Sequence, residues 1–99
     1  MGYIVVALKV HPEGSKYASE CEELGVASFG DTEEEALRNI REAVLVHLNG
    51  LERIGERDRY FRERGIEMVI GGPLRRARKV SLRPAETVSL FEVPISSAA

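Results

Sequence analysis

Hydrophobic residues near the N-terminus follow a pattern that is typical of β-strands. Tyr3 to Val10 is rich in Val and Ile and stops at a His-Pro-Glu-Gly-Ser cluster, residues 11–15, which favours a turn. Lys16 to Leu24 resumes after that turn, so an antiparallel hairpin is the simplest connection. Gly25 then permits a tight reversal into a third strand, Val26 to Phe29.

The strongest helix signal begins at Thr32. Thr32 and Glu35 have the spacing of a capping box, which satisfies backbone N–H groups at a helix start. A shorter, charged helix is predicted over Glu56 to Arg64, with Gly65 as its C-terminal stop. Apolar residues along the first helix recur in steps of three and four, which predicts one stripe packed against a sheet: Ala36, Leu37, Ile40, Ala43, Val44, His47/Leu48, Leu51 and Ile54.

After Gly65 the period returns to that of strands. A strand is predicted over Glu67 to Ile70, and a C-terminal β-hairpin from Lys79 to Arg83 and Val88 to Ile95. Residues 96–99 are expected to be a disordered tail. The pattern predicts one α+β domain over residues 1–95, with a short second helix and C-terminal β-strands.

Composition supports one soluble domain. The chain has 99 residues, of which 43% are hydrophobic and 30% charged, a balance that is typical of a globular protein with a single core. The apolar run from Ile4 to Leu8 is too short to cross a membrane, so no membrane partner is expected. Cys21 is the only cysteine, which excludes an intrachain disulfide and fits a cytoplasmic location.

Charge is divided unevenly along the chain. The net charge is −2, but residues 1–50 carry −5 and residues 51–99 carry +3. This asymmetry favours a basic partner or self-association, and an uneven solvated surface is the alternative. The overall charge gives no drive toward nucleic acid, so nucleic-acid binding is not the expected role. A basic segment that could contact phosphates, with a solvated loop as the alternative, consists of Arg75, Arg76, Arg78 and Lys79.

Catalytic chemistry finds little support in the sequence. Cys21 lies between Glu20 and Glu22, whose charges disfavour a reactive thiolate. His11 precedes a proline and His47 lies within the predicted helix, with no second histidine at metal-ligand spacing. The sequence therefore predicts no catalytic residues, no metal site and no cofactor.

The segment Glu-Leu-Gly-Val-Ala-Ser-Phe-Gly-Asp-Thr-Glu-Glu-Glu-Ala-Leu, residues 23–37, resembles the HicB-type antitoxin family. That family combines a hairpin, the sequence motif G-D-T-x-E-E-A-L and an amphipathic helix. The match to this pattern covers roughly residues 3–54. The resemblance implies a β-β-β-α-β core like a truncated RNase H fold, without that enzyme's activity. It also implies a partner, a small basic RNA-cleaving toxin. The family's C-terminal DNA-binding module has no counterpart after Gly65, so the chain resembles the short, solitary branch.

Two sets of contact residues follow from these observations. Glu20, Glu22 and Glu23 are predicted to contact a basic partner, and a solvated strand face is the alternative. A homo-oligomer, dimer or tetramer, is also expected, with an interface formed by Val88, Leu90, Phe91 and Val93. The alternatives to the antitoxin-type role are a solitary homo-oligomeric structural or ligand-binding protein and a weak nucleic-acid binder.

Overall fold

The computed structural model describes residues 2–70 and 86–95 of the chain. Three strands followed by a long helix confirm the predicted α+β class, while the likeness to a truncated RNase H fold stays a prediction. Within the described ranges the elements are β1 (Gly2–Glu13), β2 (Lys16–Cys21), β3 (Val26–Gly30), α1 (Glu33–Arg53), α2 (Arg57–Arg64), β4 (Val69–Ile70) and β5 (Thr87–Ile95).

The long strand β1 is the centre of an antiparallel sheet. β5 pairs with β1 from Gly2 to Val10, whereas β2 pairs with it only from Lys9 to Glu13. β4 pairs with Gly2 and Tyr3. Some residues of β1 pair with β5 and also with β2 or β4. The strand β5 therefore lies along one edge of β1, while β2 and β4 both lie along the opposite edge. Between β2 and β4, that shared edge has no strand partner at residues 4–8 among the described residues.

The helix α1 covers one face of this sheet, which we call the helix face. Alternate residues of a strand point to opposite faces, so β1 contributes every second residue to each. On the helix face the core contains Ile4, Val6 and Leu8 of β1, Ile40, Val44 and Leu48 of α1, and Val93 and Ile95 of β5. The opposite, outer face carries Val5, Ala7, Lys9 and His11 of β1, Ala18 and Glu20 of β2, Ala27 and Phe29 of β3, and Val88 and Leu90 of β5.

The junction between β3 and α1 is fixed by local hydrogen bonds. The Glu35 N–H donates to the Thr32 hydroxyl oxygen at 3.1 Å, and the Glu35 carboxylate accepts the Asp31 N–H at 3.1 Å. The predicted capping box is confirmed, with the return bond at Asp31 rather than at the cap residue. Gly30 is required here, because a Cβ at this position would lie 2.5 Å from the backbone nitrogen of Ala36.

Two predicted strand ends are wrong. β1 continues through Pro12 to Glu13, because its pairing with β5 ends at Val10 and the missing N–H of Pro12 costs no ladder bond on that side. β2 ends at Cys21 rather than Leu24, because residues 22–25 form a turn in which the Gly25 N–H donates to the Glu22 carbonyl at 3.2 Å. The turn also directs Leu24 into the core, where it is 1% exposed.

Further along the chain the predictions hold in part. Both helices are confirmed, although Ile54 lies past the end of α1 and is 70% exposed rather than part of the packed stripe. The strand predicted over Glu67 to Ile70 is reduced to β4. Residues 79–83 and the tail 96–99 lie outside the described residues, and the C-terminal strand β5 pairs with β1. Neither described helix has the length and hydrophobicity that a membrane crossing needs.

Candidate functional site

The three glutamates that were predicted to contact a partner lie in different environments. Glu20 is half-buried on the outer face. Glu22 is in the turn after β2, with its carboxylate 3.0 Å from the ammonium of Lys9, whose side chain is only 9% exposed. Glu23 accepts the backbone N–H of Ala7. Glu22 therefore compensates a buried charge and Glu23 satisfies a buried donor, while a role in partner binding stays a prediction for all three.

A groove of about 680 Å³ lies between β3 and α1. One wall is formed by residues 25–28, at the start of β3. The other wall is formed by α1 residues that include Asn39, Glu42, Ala43 and Val46. Val46 is 71% exposed, so its side chain adds apolar surface to this wall. The groove therefore combines apolar side chains with a carboxylate at its rim.

The strand β3 forms an edge of the sheet beside this groove. Its pairing with β2 uses one edge only, and no described strand pairs with the other. The Asn39 amide donates to the Phe29 carbonyl at 2.8 Å, so α1 satisfies one of the exposed main-chain groups. Ala27, two residues earlier, points its N–H and C=O to the same side as Phe29 by strand alternation. Main-chain groups at Ala27 thus face the side of β3 on which no described strand pairs, beside the apolar wall of the groove.

Tyr60 of α2 holds the end of the groove in place. Its hydroxyl donates to the Leu24 carbonyl at 2.8 Å, which ties α2 to the turn before β3. The rings of Tyr60 and His47 meet edge to face with centroids 5.3 Å apart, and the Arg64 guanidinium lies 4.6 Å from the Tyr60 ring centre. These contacts fix His47, a residue of the groove wall, against α2.

Opposite charges also meet at the start of α1. The Lys16 ammonium donates a hydrogen bond to the Asp31 carboxylate, and this bond, with the negative charge of Asp31, raises the pKa of Lys16 above its ordinary value. Asp31 is thereby neutralised in part. The exposed carboxylates of Glu33, Glu34 and Glu42 belong to the same region.

The predicted oligomer interface is divided between the two faces of β5. Val88 and Leu90 lie on the outer face, where Leu90 is 50% exposed. Val93 is 1% exposed in the core of its own chain, and Phe91 packs against that core with the Arg41 guanidinium 5.7 Å from its ring centre. Val93 therefore packs in the core of its own chain rather than on the surface that the other predicted residues offer, and an interface at these four residues stays a prediction.

The basic segment predicted to contact phosphates lies outside the described residues, and its role stays a prediction. It contains Arg75, Arg76, Arg78 and Lys79.

Three residues on the outer face that could together hold a metal ion were not predicted from the sequence. His11, Glu20 and Glu86 each present a ligand atom, and the three atoms lie within 4.8 Å of one another. These three residues are far apart in the sequence, so their spacing does not match a metal-binding motif. Only the pairing of β2 and β5 with β1 brings them together, so no local pattern signalled the group.

No protein-family model matches the chain, and neither a curated protein nor a solved structure matches it.

Proposed function

We propose that the chain is a non-catalytic protein-binding module of the HicB antitoxin type, which covers a small basic RNA-cleaving protein. The observation that carries this proposal is the acidic character of one structural unit. Residues 16–42 contain eight acidic and three basic residues, a net charge of −5. They form β2, β3 and the first half of α1, and they include the segment that resembles the antitoxin family.

Charge complementarity favours a basic partner at this unit. The carboxylates of Glu33, Glu34 and Glu42 are exposed on α1, and Glu42 lies on the groove wall. Complementary charges at a protein interface raise the association rate and exclude partners of the same charge. An acidic surface of this kind therefore selects a partner rich in Lys and Arg.

The edge of β3 gives the partner a place to bind. An extended segment can add to an open sheet edge through main-chain hydrogen bonds, and side-chain pockets beside the edge supply specificity. Ala27 offers the main-chain groups, and Ala43 and Val46 offer the apolar wall. We therefore assign the groove between β3 and α1 as the partner-binding surface.

The first test is capture of a partner from the source cells. The full-length tagged protein, with its mass measured beforehand by light scattering, is incubated with lysate and the bound proteins are identified by mass spectrometry. We expect a small basic protein that cleaves RNA and whose cleavage stops at one equivalent of this chain. Absence of such a protein from the captured set, with a correctly folded bait, would refute the proposal.

A pair of variants tests the surface. Val46→Arg places a cation on the groove wall and is expected to weaken binding of the basic partner at least tenfold, on the order of 1.4 kcal/mol. Leu45→Arg is the matched control, because Leu45 is 41% exposed on the same helix and does not line the groove. Equal affinities for both variants would place the partner elsewhere.

A homo-oligomer is the second candidate, favoured by apolar side chains on the outer face. Leu90 is 50% exposed and Phe29 is 65% exposed there. A second copy that pairs through this face would remove both from water. This role is compatible with the first, because the outer face and the groove are different surfaces.

A further inference from the structure

The outer face brings together three potential metal ligands, two from strands and one from the residue that precedes a third strand. His11 belongs to β1, and Glu20 of β2 lies diagonally across from it, since Lys9 pairs with Glu20 and His11 with Ala18. Glu86 directly precedes β5, whose first residue pairs with Val10, so Glu86 continues the strand beside His11. Sheet register alone therefore determines that these side chains meet.

The distances fit an ion between the ligand atoms better than a direct hydrogen bond. His11 Nδ1 lies 3.8 Å from Glu86 Oε2, which is longer than the roughly 2.7–3.2 Å of a hydrogen bond. Bonds of about 2.0–2.2 Å from Zn²⁺, at tetrahedral angles, place the ligand atoms roughly 3.3–3.6 Å apart. The 3.8 Å separation is close to this spacing, and the three ligand atoms, which all lie within 4.8 Å of one another, need side-chain shifts of up to roughly 1.4 Å.

The surroundings of His11 are those of a metal-binding imidazole. Its Nδ1 atom is buried and has no hydrogen-bond partner among residues 2–70 and 86–95. Its Nε2 atom faces the Glu13 carboxylate at 3.6 Å. Imidazoles that bind metal with one nitrogen commonly donate the other N–H to a carboxylate, which fixes the ring. The Glu13 carboxylate is beyond hydrogen-bond distance at 3.6 Å, and a shift of its exposed side chain by roughly half an ångström would complete this contact.

Charge and burial are also consistent with a divalent cation. Two carboxylates and a neutral imidazole carry a charge of −2, which such an ion balances. The Glu86 side chain is 1% exposed and that of His11 22%, so the group is largely shielded from water. A buried carboxylate gains most from a cation that it contacts directly.

We propose that His11, Glu20 and Glu86 bind one divalent transition-metal ion, with Zn²⁺ as the representative. A nitrogen ligand beside two carboxylates suits Zn²⁺ and its neighbours in the first transition row, whereas Mg²⁺ and Ca²⁺ prefer oxygen ligands alone. The ion links β2, β1 and β5 and leaves a coordination position for water. This site is independent of the partner-binding groove, which lies between β3 and α1.

The test uses the full-length chain, freed of metal with a chelator. Isothermal titration with Zn²⁺ is expected to give one ion per chain, and Co²⁺ in its place is expected to show the visible absorption of a low-coordinate site. A hundredfold excess of Zn²⁺ over its Kd is expected to raise the Tm by on the order of 10 °C.

Variants assign the ligands. His11→Gln and Glu86→Gln are each expected to weaken Zn²⁺ binding at least about tenfold. His47→Gln, which removes the other histidine, and Cys21→Ser, which removes the only thiol, are expected to leave the affinity unchanged. Circular dichroism and thermal unfolding without metal establish that each variant is folded. Glu20→Gln, in a third strand, gives a separate measurement if one of the first two variants fails to fold.

Two results would overturn the site. The first is the absence of saturable binding of Zn²⁺ or Co²⁺ to the folded wild-type chain at millimolar concentration. The second is binding that survives in His11→Gln and Glu86→Gln but is lost in His47→Gln or Cys21→Ser, which would place the ion elsewhere.

Discussion

The carboxylate of Glu23 accepts the backbone N–H of Ala7, with its two oxygens 3.2 and 3.4 Å from the nitrogen. Ala7 lies on the stretch of β1 edge between β2 and β4, where no described strand supplies a partner. A buried N–H without an acceptor is costly, and Ala7 is only 5% exposed. The Glu23 side chain, from the turn after β2, thus supplies the hydrogen-bond acceptor that a neighbouring strand would otherwise provide.

Removal of this acceptor is expected to destabilise the fold. Glu23→Ala leaves the Ala7 N–H without this acceptor, which costs about 1–3 kcal/mol of unfolding free energy. Glu23→Gln keeps a carbonyl oxygen and is expected to lose about 1 kcal/mol or less. Urea unfolding measures both, and Glu67→Ala, at an exposed position, is the control with an expected change within about 0.5 kcal/mol. Equal losses for the alanine and glutamine variants would argue that charge rather than hydrogen bonding is responsible.

The close approach of β3 and α1 predicts opposite effects of alanine at two glycines. Gly30→Ala forces a Cβ against the backbone of α1, 2.5 Å from the Ala36 nitrogen, and is expected to cost about 1–3 kcal/mol. Gly50→Ala, in α1 with no atom within 4 Å of the new methyl group, is expected to stabilise the protein by about 0.5–1 kcal/mol. Thermal or denaturant unfolding measures the two changes, and the same sign for both would contradict the predicted steric conflict at Gly30.

The raised pKa of Lys16 predicts a dependence on alkaline pH. Its hydrogen bond to Asp31 is the largest cause, followed by the charge of Asp31, and the charge of Glu35 adds a smaller contribution. Because the folded pKa lies above the unfolded value near 10.5, the contribution to stability is complete below that pH and is lost as the pH rises through the folded pKa.

Nuclear magnetic resonance of the lysine side chain measures this effect directly. Asp31→Asn is expected to lower the pKa of Lys16, and Glu35→Gln is expected to lower it less. The glutamine retains an acceptor for the Asp31 N–H, so the capping contact is preserved. A Lys16 titration that is identical in the wild type and Asp31→Asn would refute the pairing in solution.

Self-association through the outer face predicts different outcomes for two residues of β5. Leu90→Asp is expected to reduce the oligomer mass in light scattering while the chain remains folded, because Leu90 is half exposed. Val93→Ala is expected to cost about 2 kcal/mol of stability and leave the assembly unchanged, because Val93 is in the core. Ile54→Asp, at a 70% exposed position beyond α1, controls for a general effect of added charge. A mass that is unchanged by Leu90→Asp would exclude this face.

Local patterns in the sequence were enough to predict the α1 side of the fold. The capping residues Thr32 and Glu35, the stripe through Ile40, Val44 and Leu48, and the stop at Gly65 act over four residues or fewer, so each could be recognised in the sequence. The residues at which the strands end could not be predicted from local patterns alone. The end of β1 depends on which residues of β2 and β5 pair with it, and that information is distributed over the whole chain.

The sequence by itself determined the α+β class, the helices and the acidic character of residues 1–50. Only the tertiary structure decided where individual side chains lie and what they contact. It placed Val93 in the core and made the Glu23 carboxylate the acceptor for the Ala7 N–H of β1. It also brought His11, Glu20 and Glu86 together. The physical reason is that helix periodicity and capping are interactions between near neighbours, whereas cross-strand register joins residues far apart in the chain. In a sheet the face and the neighbours of a side chain follow from that register.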